Sequence, residues 1–507
     1  SRPPRSRPDG PTPMADRPTS MTGARRRLVI VGGGISGLAA AWEASIGGTL
    51  DVTVLDDGGA AVVPAGSRPD IGGKLRTSPV GGVATDEAAD MFLARVPEGL
   101  ALADELGLSD RLTAPVAGGA AIWMDGAAHP MPTGLVLGVP TDPHALGGSG
   151  LLEADDIQAV RSELVRTGRP VVEDRSIGSL IRERLGDRIA DRLVQPLLGG
   201  INAGVIDRLS LAAAAPQLDV AARSGPSLTG ALAATRRAAG PPSTTPAFYG
   251  LPGGMTELVT TLRTALSTRG VRLRDAVRVE SVERAGGELR MVVASTRTGA
   301  RAAIAADAVI LAVPAAAAAA LLARTEPTEP SHWAGAPETA AVLGGFRSAS
   351  VAMVRLAVRP DRVRAPAGRA GLLVPHRSGF ATVAVSYAST KWAHLAEDGL
   401  VRLRISVGHD DDPDSPRLPE DELVTRVLDE ARTLTGLDGP VEHHSLVRWH
   451  DAFPQYDVGH LDRCATVDAA LAEELPNVLV TGASYRGIGI PGCIRQGRRA
   501  AAAVMSG

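Results

Sequence analysis

The stretch RRLVIVGGGISGLAAAWEAS, residues 26–45, decides the fold class of this chain. Its apolar run at 28–31 predicts a strand that is buried on both faces, and the apolar spacing after Gly34 predicts a helix. Three glycines separate the two elements, so the turn between them carries no side chains. The stretch LDVTVLDD then predicts a second strand that ends at Asp56. Strand, helix and strand form a βαβ unit, and we therefore predict an α/β fold.

The glycine turn predicts contact between the backbone and a bound pyrophosphate. Gly32 permits a tight turn, Gly34 lets a ligand approach the backbone, and Gly37 permits close packing of helix on strand. Because the first N–H groups of a helix are unpaired and lie at its positive end, they attract phosphate. We predict that a dinucleotide binds here, at residues Gly32, Gly33, Gly34, Ile35, Ser36 and Gly37.

The end of the second strand is the expected position of an acid that accepts hydrogen bonds from the ribose diol of the dinucleotide. Asp56 stands there, and its charge would repel a 2′-phosphate. Asp57 follows it directly, so the sequence leaves open which of the two carboxylates binds the ribose.

Two further glycine turns favour FAD over NAD as the dinucleotide. DIGGKLRT, residues 70–77, puts two glycines and basic side chains shortly after the ribose acid, where FAD-dependent oxidases and desaturases contact phosphate. TGASYRGIGIPGCIRQGRRAA, residues 481–501, leaves room for a flat ring before a predicted helix, whose N-terminus would stabilise negative charge on a reduced flavin. The residues of these turns that we predict to bind FAD are Gly72, Gly73, Lys74, Gly487 and Gly489.

Composition limits the partners and the number of domains. The chain has 507 residues, 44% of them hydrophobic and 21% charged, which is typical of a globular protein of two or three domains. A formal net charge of −3 gives no overall positive field, so we expect no nucleic-acid partner. Cys464 and Cys493 provide neither a disulfide framework nor the spacing of a metal site, so we expect a reducing, cytoplasmic setting and no metal.

The sequence also predicts one disordered segment and no membrane-spanning segment. Residues 1–24 are rich in Pro, Arg, Ser and Thr, and we predict a disordered lead. The longest uncharged apolar stretch, residues 308–323, is short and is interrupted by Pro314, so we expect no transmembrane segment.

Units of strand, glycine turn and helix at both ends of the chain predict one nucleotide-binding domain that is assembled from separated segments. We assign it residues 25–91, 250–314 and 441–507. Helical patterns dominate 92–215, which predicts a helical domain, and the glycine- and proline-rich stretch 216–249 predicts a loop. Strands alternate in 315–440 around one predicted helix, and we assign these residues to a substrate-binding domain.

Seven motifs follow one another along the chain: VGGGISGLAAA, GGKLRT, VPTDP, QPLLGGINAG, LPGGM, AFPQYDVGH and SYRGIGIPGCIRQGR. With them the chain resembles the protoporphyrinogen/coproporphyrinogen oxidase family of haem synthesis, and in particular its Gram-positive bacterial coproporphyrinogen III oxidase type. The resemblance implies a p-hydroxybenzoate-hydroxylase-like FAD-binding domain with inserted substrate-binding and helical domains. It also implies a transient contact with the next enzyme of haem synthesis and, as in some members, a peripheral contact of the helical domain with the membrane.

The resemblance further implies contacts with FAD from the residues named above in the three glycine turns and from Asp56, and it adds Leu75, Val277, Trp449, Ile488 and Ile490. It places STKWAHL, residues 389–395, near the substrate. TDEAADMF, residues 85–92, departs from the Gly-Ala-Glu run of many relatives, and this region borders the active site in the family.

The implied reaction is the oxidation of coproporphyrinogen III by O2, which releases H2O2; protoporphyrinogen IX is the second candidate substrate. Because the flavin supplies the chemistry, no nucleophile is needed, and we name no catalytic residue. His376, His394 and His450 are candidate bases, although such histidines more often have structural roles. The sequence also leaves open an amine oxidase, a desaturase and a flavin-binding protein without turnover.

Overall fold

The computed structural model describes residues 25–58, 72–116, 118–240, 245–285, 287–323, 334–364 and 368–506. The predicted disordered lead at 1–24 lies outside these residues, as do the first two residues of DIGGKLRT. The strands of the described residues are β1 (Arg26–Val31), β2 (Leu50–Leu55), β3 (Thr77–Val80), β4 (Val83–Asp86), β5 (Phe92–Leu93), β6 (Ala120–Met124), β7 (Ala127–Pro130), β8 (Leu135–Val136), β9 (Val139–Pro140), β10 (Phe248–Tyr249), β11 (Arg272–Arg274), β12 (Val277–Ala285), β13 (Glu288–Ser295), β14 (Arg301–Ala306), β15 (Ala308–Leu311), β16 (Ser348–Val358), β17 (Gly371–Leu373), β18 (Thr382–Tyr387), β19 (Val401–Val407), β20 (His443–Pro454) and β21 (Val478–Val480).

The helices alternate with these strands along much of the chain. They are α1 (Ile35–Ala44), α2 (Pro97–Glu105), α3 (Ala154–Leu164), α4 (Ile177–Leu185), α5 (Asp187–Ile189), α6 (Gly200–Asn202), α7 (Leu211–Ala214), α8 (Pro216–Ser224), α9 (Leu228–Ala238), α10 (Thr256–Thr268), α11 (Ala315–Leu322), α12 (Pro337–Gly344), α13 (Ala388–Lys391), α14 (Glu420–Thr435), α15 (His460–Glu474) and α16 (Ile490–Ser506). A π-helical segment, Ala190–Gly199, joins α5 to α6.

A parallel sheet of strand order β11-β2-β1-β15-β21 collects segments from both ends of the chain. In its centre Leu28 of β1 pairs with Val52 on one side and with Ala308 on the other. Helices α1, α10 and α16 bury their apolar residues against one face of this sheet. The predicted βαβ unit and the α/β fold class are therefore confirmed.

The other face of the parallel sheet is covered by a second layer. Strands β12, β13 and β14 form an antiparallel sheet, and they share an apolar core with α11, α12 and α15. This core places α11 and α12 against the parallel sheet, although the sequence assigned their residues to the substrate-binding domain. Only long-range packing distinguishes the two assignments, because an apolar helix such as α11, AAAAAALL, can pack in either domain.

A mixed seven-stranded sheet has the order β20-β16-β19-β18-β17-β6-β7. Helix α14 packs on it through Leu423, Val427 and Ala431. The strands at its two ends come from segments that the sequence placed elsewhere. At one end, β6 and β7 belong to the predicted helical domain. At the other end, β20 belongs to the third segment of the predicted nucleotide-binding domain. Sheet pairing joins residues distant in sequence, and local patterns do not report it.

The predicted loop at 216–249 is wrong over most of its length, because α8 and α9 occupy 216–224 and 228–238. Leu218, Leu228 and Leu232 of these helices are buried in the same core as α3, α4 and the π-helical segment. The Ser227 side chain caps α9 by accepting the N–H of Gly230 at 2.8 Å. Pro216 starts α8 and Gly225 ends it, so the two breakers delimit helices and do not mark a continuous loop.

Among the described residues, no helix is both long enough and apolar enough to cross a bilayer.

Candidate cofactor and active site

The first glycine turn combines two glycines that the fold requires with one that it does not. Gly32 has φ +104°, and a Cβ atom there would lie 2.6 Å from the Ala312 carbonyl oxygen. A Cβ atom on Gly37 would lie 2.0 Å from the Gly32 carbonyl oxygen. Gly34 has φ −73°, and its Cβ atom would meet only the Gly73 Cα atom, at 3.8 Å. The space beside Gly34 is therefore open, as a ligand site requires.

The second glycine turn faces the first one across this space. Gly73 has φ +62°, and a Cβ atom on it would lie 2.9 Å from the Gly34 Cα atom. Among the described residues, no side chain caps α1, whose N-cap residue is Gly34. The first N–H groups of α1 are thus available to an anion at the positive end of the helix dipole. This pair of turns fits the pyrophosphate of a dinucleotide.

Asp56 points at the glycine turn. Its Oδ2 atom accepts the N–H of Gly33 at 2.5 Å, and its Oδ1 atom accepts the N–H of Gly58 at 2.7 Å. Burial raises the pKa of Asp56, and the two N–H donors partly offset the effect. Asp57 points elsewhere, toward Arg278 at 3.9 Å. Of the two carboxylates that could bind the ribose, the geometry therefore favours Asp56.

Val277 lies beside Asp56 through the backbone, because its N–H donates to the Asp56 carbonyl oxygen at 2.9 Å. The start of β12 is thereby held next to the end of β2. The contact places Val277 at the edge of the predicted dinucleotide site.

Lys74 and Trp449 are both connected to Ala452. The Lys74 ammonium donates to the carbonyl oxygen of Ala452, and burial lowers the pKa of Lys74. Trp449 is 2% exposed and packs in an apolar cluster with Ala452 and Ala203. Its indole N–H has no hydrogen-bond partner among the residues that the structure describes. A buried donor of this kind fits a bound polar ring.

Leu75 of the second turn is buried in the apolar core that α1, α10 and α16 form against the parallel sheet. Its N–H donates to the Gly72 carbonyl oxygen at 3.4 Å. The side chain of Leu75 therefore anchors the turn, and only its backbone faces the site.

The C-terminal turn adds a second uncapped helix end. Helix α16 starts at Ile490, and Gly487 has φ +125°. In the described part of the chain nothing accepts the N–H of Ile488 or Gly489. A Cβ atom on Gly497 of α16 would lie 2.1 Å from the Ser36 carbonyl oxygen, so α16 crosses the start of α1 in direct backbone contact. This crossing brings the first and third glycine turns to one site.

The STKWAHL segment is tied to TDEAADMF by a buried ion pair. Asp90 accepts hydrogen bonds from the Lys391 ammonium at 2.8 Å and from the Trp392 indole at 3.1 Å, and Arg404 lies 3.6 Å away. Burial alone would raise the pKa of Asp90, but Arg404 and Lys391 hold it well below the usual range. The sequence did not predict this pair, since its partners are 301 residues apart.

Asp86 lines a small cavity between the same two segments, with Asp90, Trp392, His394 and Arg404. Its Oδ1 atom accepts the Thr77 hydroxyl at 2.6 Å and the Met255 N–H at 2.8 Å. Burial raises the pKa of Asp86 to about 6, against these two hydrogen bonds. Asp86 thus joins the second glycine turn to the LPGGM turn before α10.

The three candidate histidines lie in different places. His394 is half-buried at the small cavity, and His450 is exposed. His376 stacks on His409 with ring centroids 5.5 Å apart, and burial lowers its pKa. None of the three is brought to the glycine turns by a contact among the described residues.

Comparisons with known proteins agree with this geometry. Residues 35–505 match the family model described as flavin containing amine oxidoreductase. A coproporphyrinogen III oxidase of Bacillus subtilis (strain 168) is 30% identical over 95% of this chain and 98% of its own length. A coproporphyrinogen III oxidase of Mycobacterium tuberculosis (strain H37Rv) is 34% identical over 95% of this chain and 97% of its own length. A protein of Exiguobacterium sp. 255-15, provisionally named a protoporphyrinogen oxidase, superimposes with a TM-score of 0.79 at 27% identity, over 96% of this chain and 100% of the other.

Proposed function

The chain belongs to the flavin containing amine oxidoreductase family and, within it, to the coproporphyrinogen III oxidases, and on this basis we propose that it oxidises coproporphyrinogen III to coproporphyrin III in haem biosynthesis. O2 takes up the electrons and leaves as H2O2. One observation carries the proposal: relatives with this name match 95% of the chain at 30% and 34% identity. The family model matches residues 35–505, which include the second and third glycine turns and both segments joined by Asp90.

We propose FAD as the cofactor, because the site offers places for a pyrophosphate, a ribose and a ring. The open space between Gly34 and Gly73 and the uncapped end of α1 suit the pyrophosphate. Asp56 and Val277 suit the adenosine end, and the unpartnered indole of Trp449 suits the ring end. When bound, the flavin accepts two electrons from a porphyrinogen in each oxidation step and passes them to O2.

The residues of the chain bind and orient the cofactor in this proposal. Backbone N–H groups at the start of α1 neutralise phosphate charge, and the positive end of α16 stabilises negative charge on the ring. Lys74 is fixed by Ala452 and adds a cation near the same site. The apolar cluster of Trp449, Ala203 and Met353 excludes water from its surroundings. We assign no residue as a general base.

We further propose a cytoplasmic location and a transient contact with the enzyme that takes over the product. Both cysteines, Cys464 and Cys493, are buried free thiols, which suits a reducing compartment. The four propionates of coproporphyrin make it an amphipathic product that a direct transfer would keep from aggregating.

The test begins with the visible spectrum of the purified chain, which should show flavin bands, and with denaturation, which should release FAD. Coproporphyrinogen III is then added in air, and porphyrin fluorescence and H2O2 are recorded together. One porphyrin for roughly every three H2O2 is the expected balance, because six electrons leave the macrocycle. Flavin bands without turnover would contradict the proposal and favour a binding protein. Turnover of primary amines, with no porphyrin formed, would instead make the chain an amine oxidase.

A further inference from the structure

Tyr456 lies between β20 and α15, in the AFPQYDVGH motif, and is 2% exposed. Its ring stacks on the His460 ring, with centroids 4.1 Å apart and an angle of 21° between the planes. The Tyr456 carbonyl oxygen accepts the N–H of Ser210 at 2.7 Å. His460 is fixed in turn by a contact of its Nε2 atom with the Tyr485 carbonyl oxygen at 2.7 Å. The ring and the backbone of Tyr456 are therefore held in place by the fold.

The Tyr456 hydroxyl is aimed at the third glycine turn. It donates to the Ala483 carbonyl oxygen at 2.6 Å and accepts the N–H of Gly487 at 2.8 Å. The carbonyl oxygen of Gly487 accepts the Gln496 side-chain amide at 3.2 Å. Both polar backbone groups of Gly487 are thus held by side chains from other segments. At φ +125° this residue sets the direction of the chain into α16.

The next two N–H groups, those of Ile488 and Gly489, have no acceptor in the described part of the chain. They lie between the fixed Gly487 peptide and the first turn of α16. The Ile488 N–H lies in the same planar peptide as the Gly487 carbonyl, which Gln496 holds, and the Tyr456 hydroxyl holds the peptide before it, so the two side chains together set the path of the chain through these donors. A change at the Tyr456 hydroxyl is therefore expected to change where these donors point.

We propose that Tyr456 is a positioning residue that pre-sets the Gly487–Gly489 turn for the flavin ring. The inference rests on the proposed function, because it requires a flavin at this turn. Tyr456 itself is not assigned a contact with the cofactor. Its contribution is that the turn donors are already oriented before the cofactor arrives, which lowers the ordering cost of binding.

The test compares Tyr456→Phe with Tyr485→Phe in the full chain. Tyr485 is also buried in this region, but its hydroxyl has no hydrogen-bond partner among the described residues, so the control removes an equivalent atom without freeing the turn. Apoprotein of each is titrated with FAD, and flavin fluorescence, the visible spectrum and the midpoint potential are recorded. We expect FAD affinity to fall about tenfold in Tyr456→Phe, with a shifted spectrum and potential, and to stay near the wild-type value in Tyr485→Phe.

A second variant, Gln496→Met, frees the carbonyl of Gly487 in the next peptide of the turn and should change the spectrum in a similar way if the direction of the turn is what matters. Wild-type affinity, spectrum and potential in Tyr456→Phe would overturn the inference and leave the proposed function standing. A wild-type chain that binds no FAD would overturn both. If Tyr456→Phe loses thermal stability as apoprotein but keeps the wild-type spectrum and potential when saturated, the role is structural and the inference is also wrong.

Discussion

Gly34 and Gly73 face each other backbone to backbone, so that a Cβ atom added to Gly73 would lie 2.9 Å from the Gly34 Cα atom. A side chain on Gly34 causes no such clash. Its Cβ atom would lie 3.8 Å from the Gly73 Cα atom, and the backbone conformation of Gly34 is open to any residue. The two turns therefore constrain one another unequally. A side chain can enter the space between them from Gly34, where it competes with a ligand and not with the protein.

We predict that Gly34→Val abolishes FAD binding while the apoprotein still folds. The expected loss of apoprotein stability is at most about 1 kcal/mol, for an apolar residue at a helix N-cap. Flavin content after purification and apoprotein Tm measure the two effects separately. Gly37→Ala is the matched control: its Cβ atom would lie 2.0 Å from the Gly32 carbonyl oxygen, so it should lower the Tm of the apoprotein itself. Full flavin content in Gly34→Val would show that the phosphates bind elsewhere.

Asp56→Ala should weaken FAD binding without abolishing it. The substitution removes the acceptor of the Gly33 N–H and the negative charge expected to bind the ribose. Loss of a charge-assisted hydrogen bond is worth about 1.5–3 kcal/mol, or at least tenfold in affinity. Asp57→Ala is the control, because this carboxylate faces Arg278. Equal losses in a fluorescence titration of the two variants would contradict the assignment of Asp56.

The first and second glycine turns and the acid at the end of β2 were predictable from sequence, because each depends on a few neighbouring residues. The residues that orient them were not. Tyr456 reaches Gly487 across 31 residues, and Asp90 reaches Lys391 across 301. In both cases a motif marked the segment, AFPQYDVGH or STKWAHL, but the partner became visible only when the sheets were assembled. The helices at 216–238 were missed for a different reason: glycine and proline at their ends obscured good helix formers between them.

The buried pair of Asp90 and Lys391 should show strong coupling. Lys391→Met leaves the Asp90 charge with one cation fewer, and removal of one partner of a buried pair costs on the order of 3–5 kcal/mol. Asp90→Asn leaves Lys391 and Arg404 without their counter-charge. The double variant should lose less stability than the sum of the two single variants, as measured by thermal denaturation of the holoenzyme. Additive losses would mean that the two charges do not interact.

Asp86 should make stability depend on pH in a particular direction. Its pKa is raised from 3.8 to about 6 in the folded chain, so between these values the folded state binds the proton more tightly than the unfolded state. The stability that the bound proton gives is present below pH 3.8 and is lost as pH rises through about 6. Asp86→Asn removes this dependence and can still accept from Thr77 and Met255.

The Tm difference between Asp86→Asn and wild type should therefore grow in favour of the variant from about pH 4.5 to 7.5, by the equivalent of on the order of 1–3 kcal/mol. Asp155→Asn, at an exposed position, is the control. A difference for Asp86→Asn that is flat, or that shrinks with rising pH, would contradict the raised pKa.

The last prediction concerns the substrate: we expect a higher kcat/KM for coproporphyrinogen III than for protoporphyrinogen IX. Coproporphyrinogen carries four propionates, whereas protoporphyrinogen carries two propionates and two apolar vinyl groups. A site adapted to four carboxylates loses two charge-assisted contacts with the second substrate, and each is worth about 1.5–3 kcal/mol in the transition state. Each lost contact is thus worth about tenfold or more in the preference. Initial rates of porphyrin fluorescence in air, with both substrates at matched concentrations below KM, give the ratio directly. A preference for protoporphyrinogen would place the chain in the other branch of its family, while the FAD assignment and the role of Tyr456 would be unaffected, because neither depends on the substituents of the macrocycle.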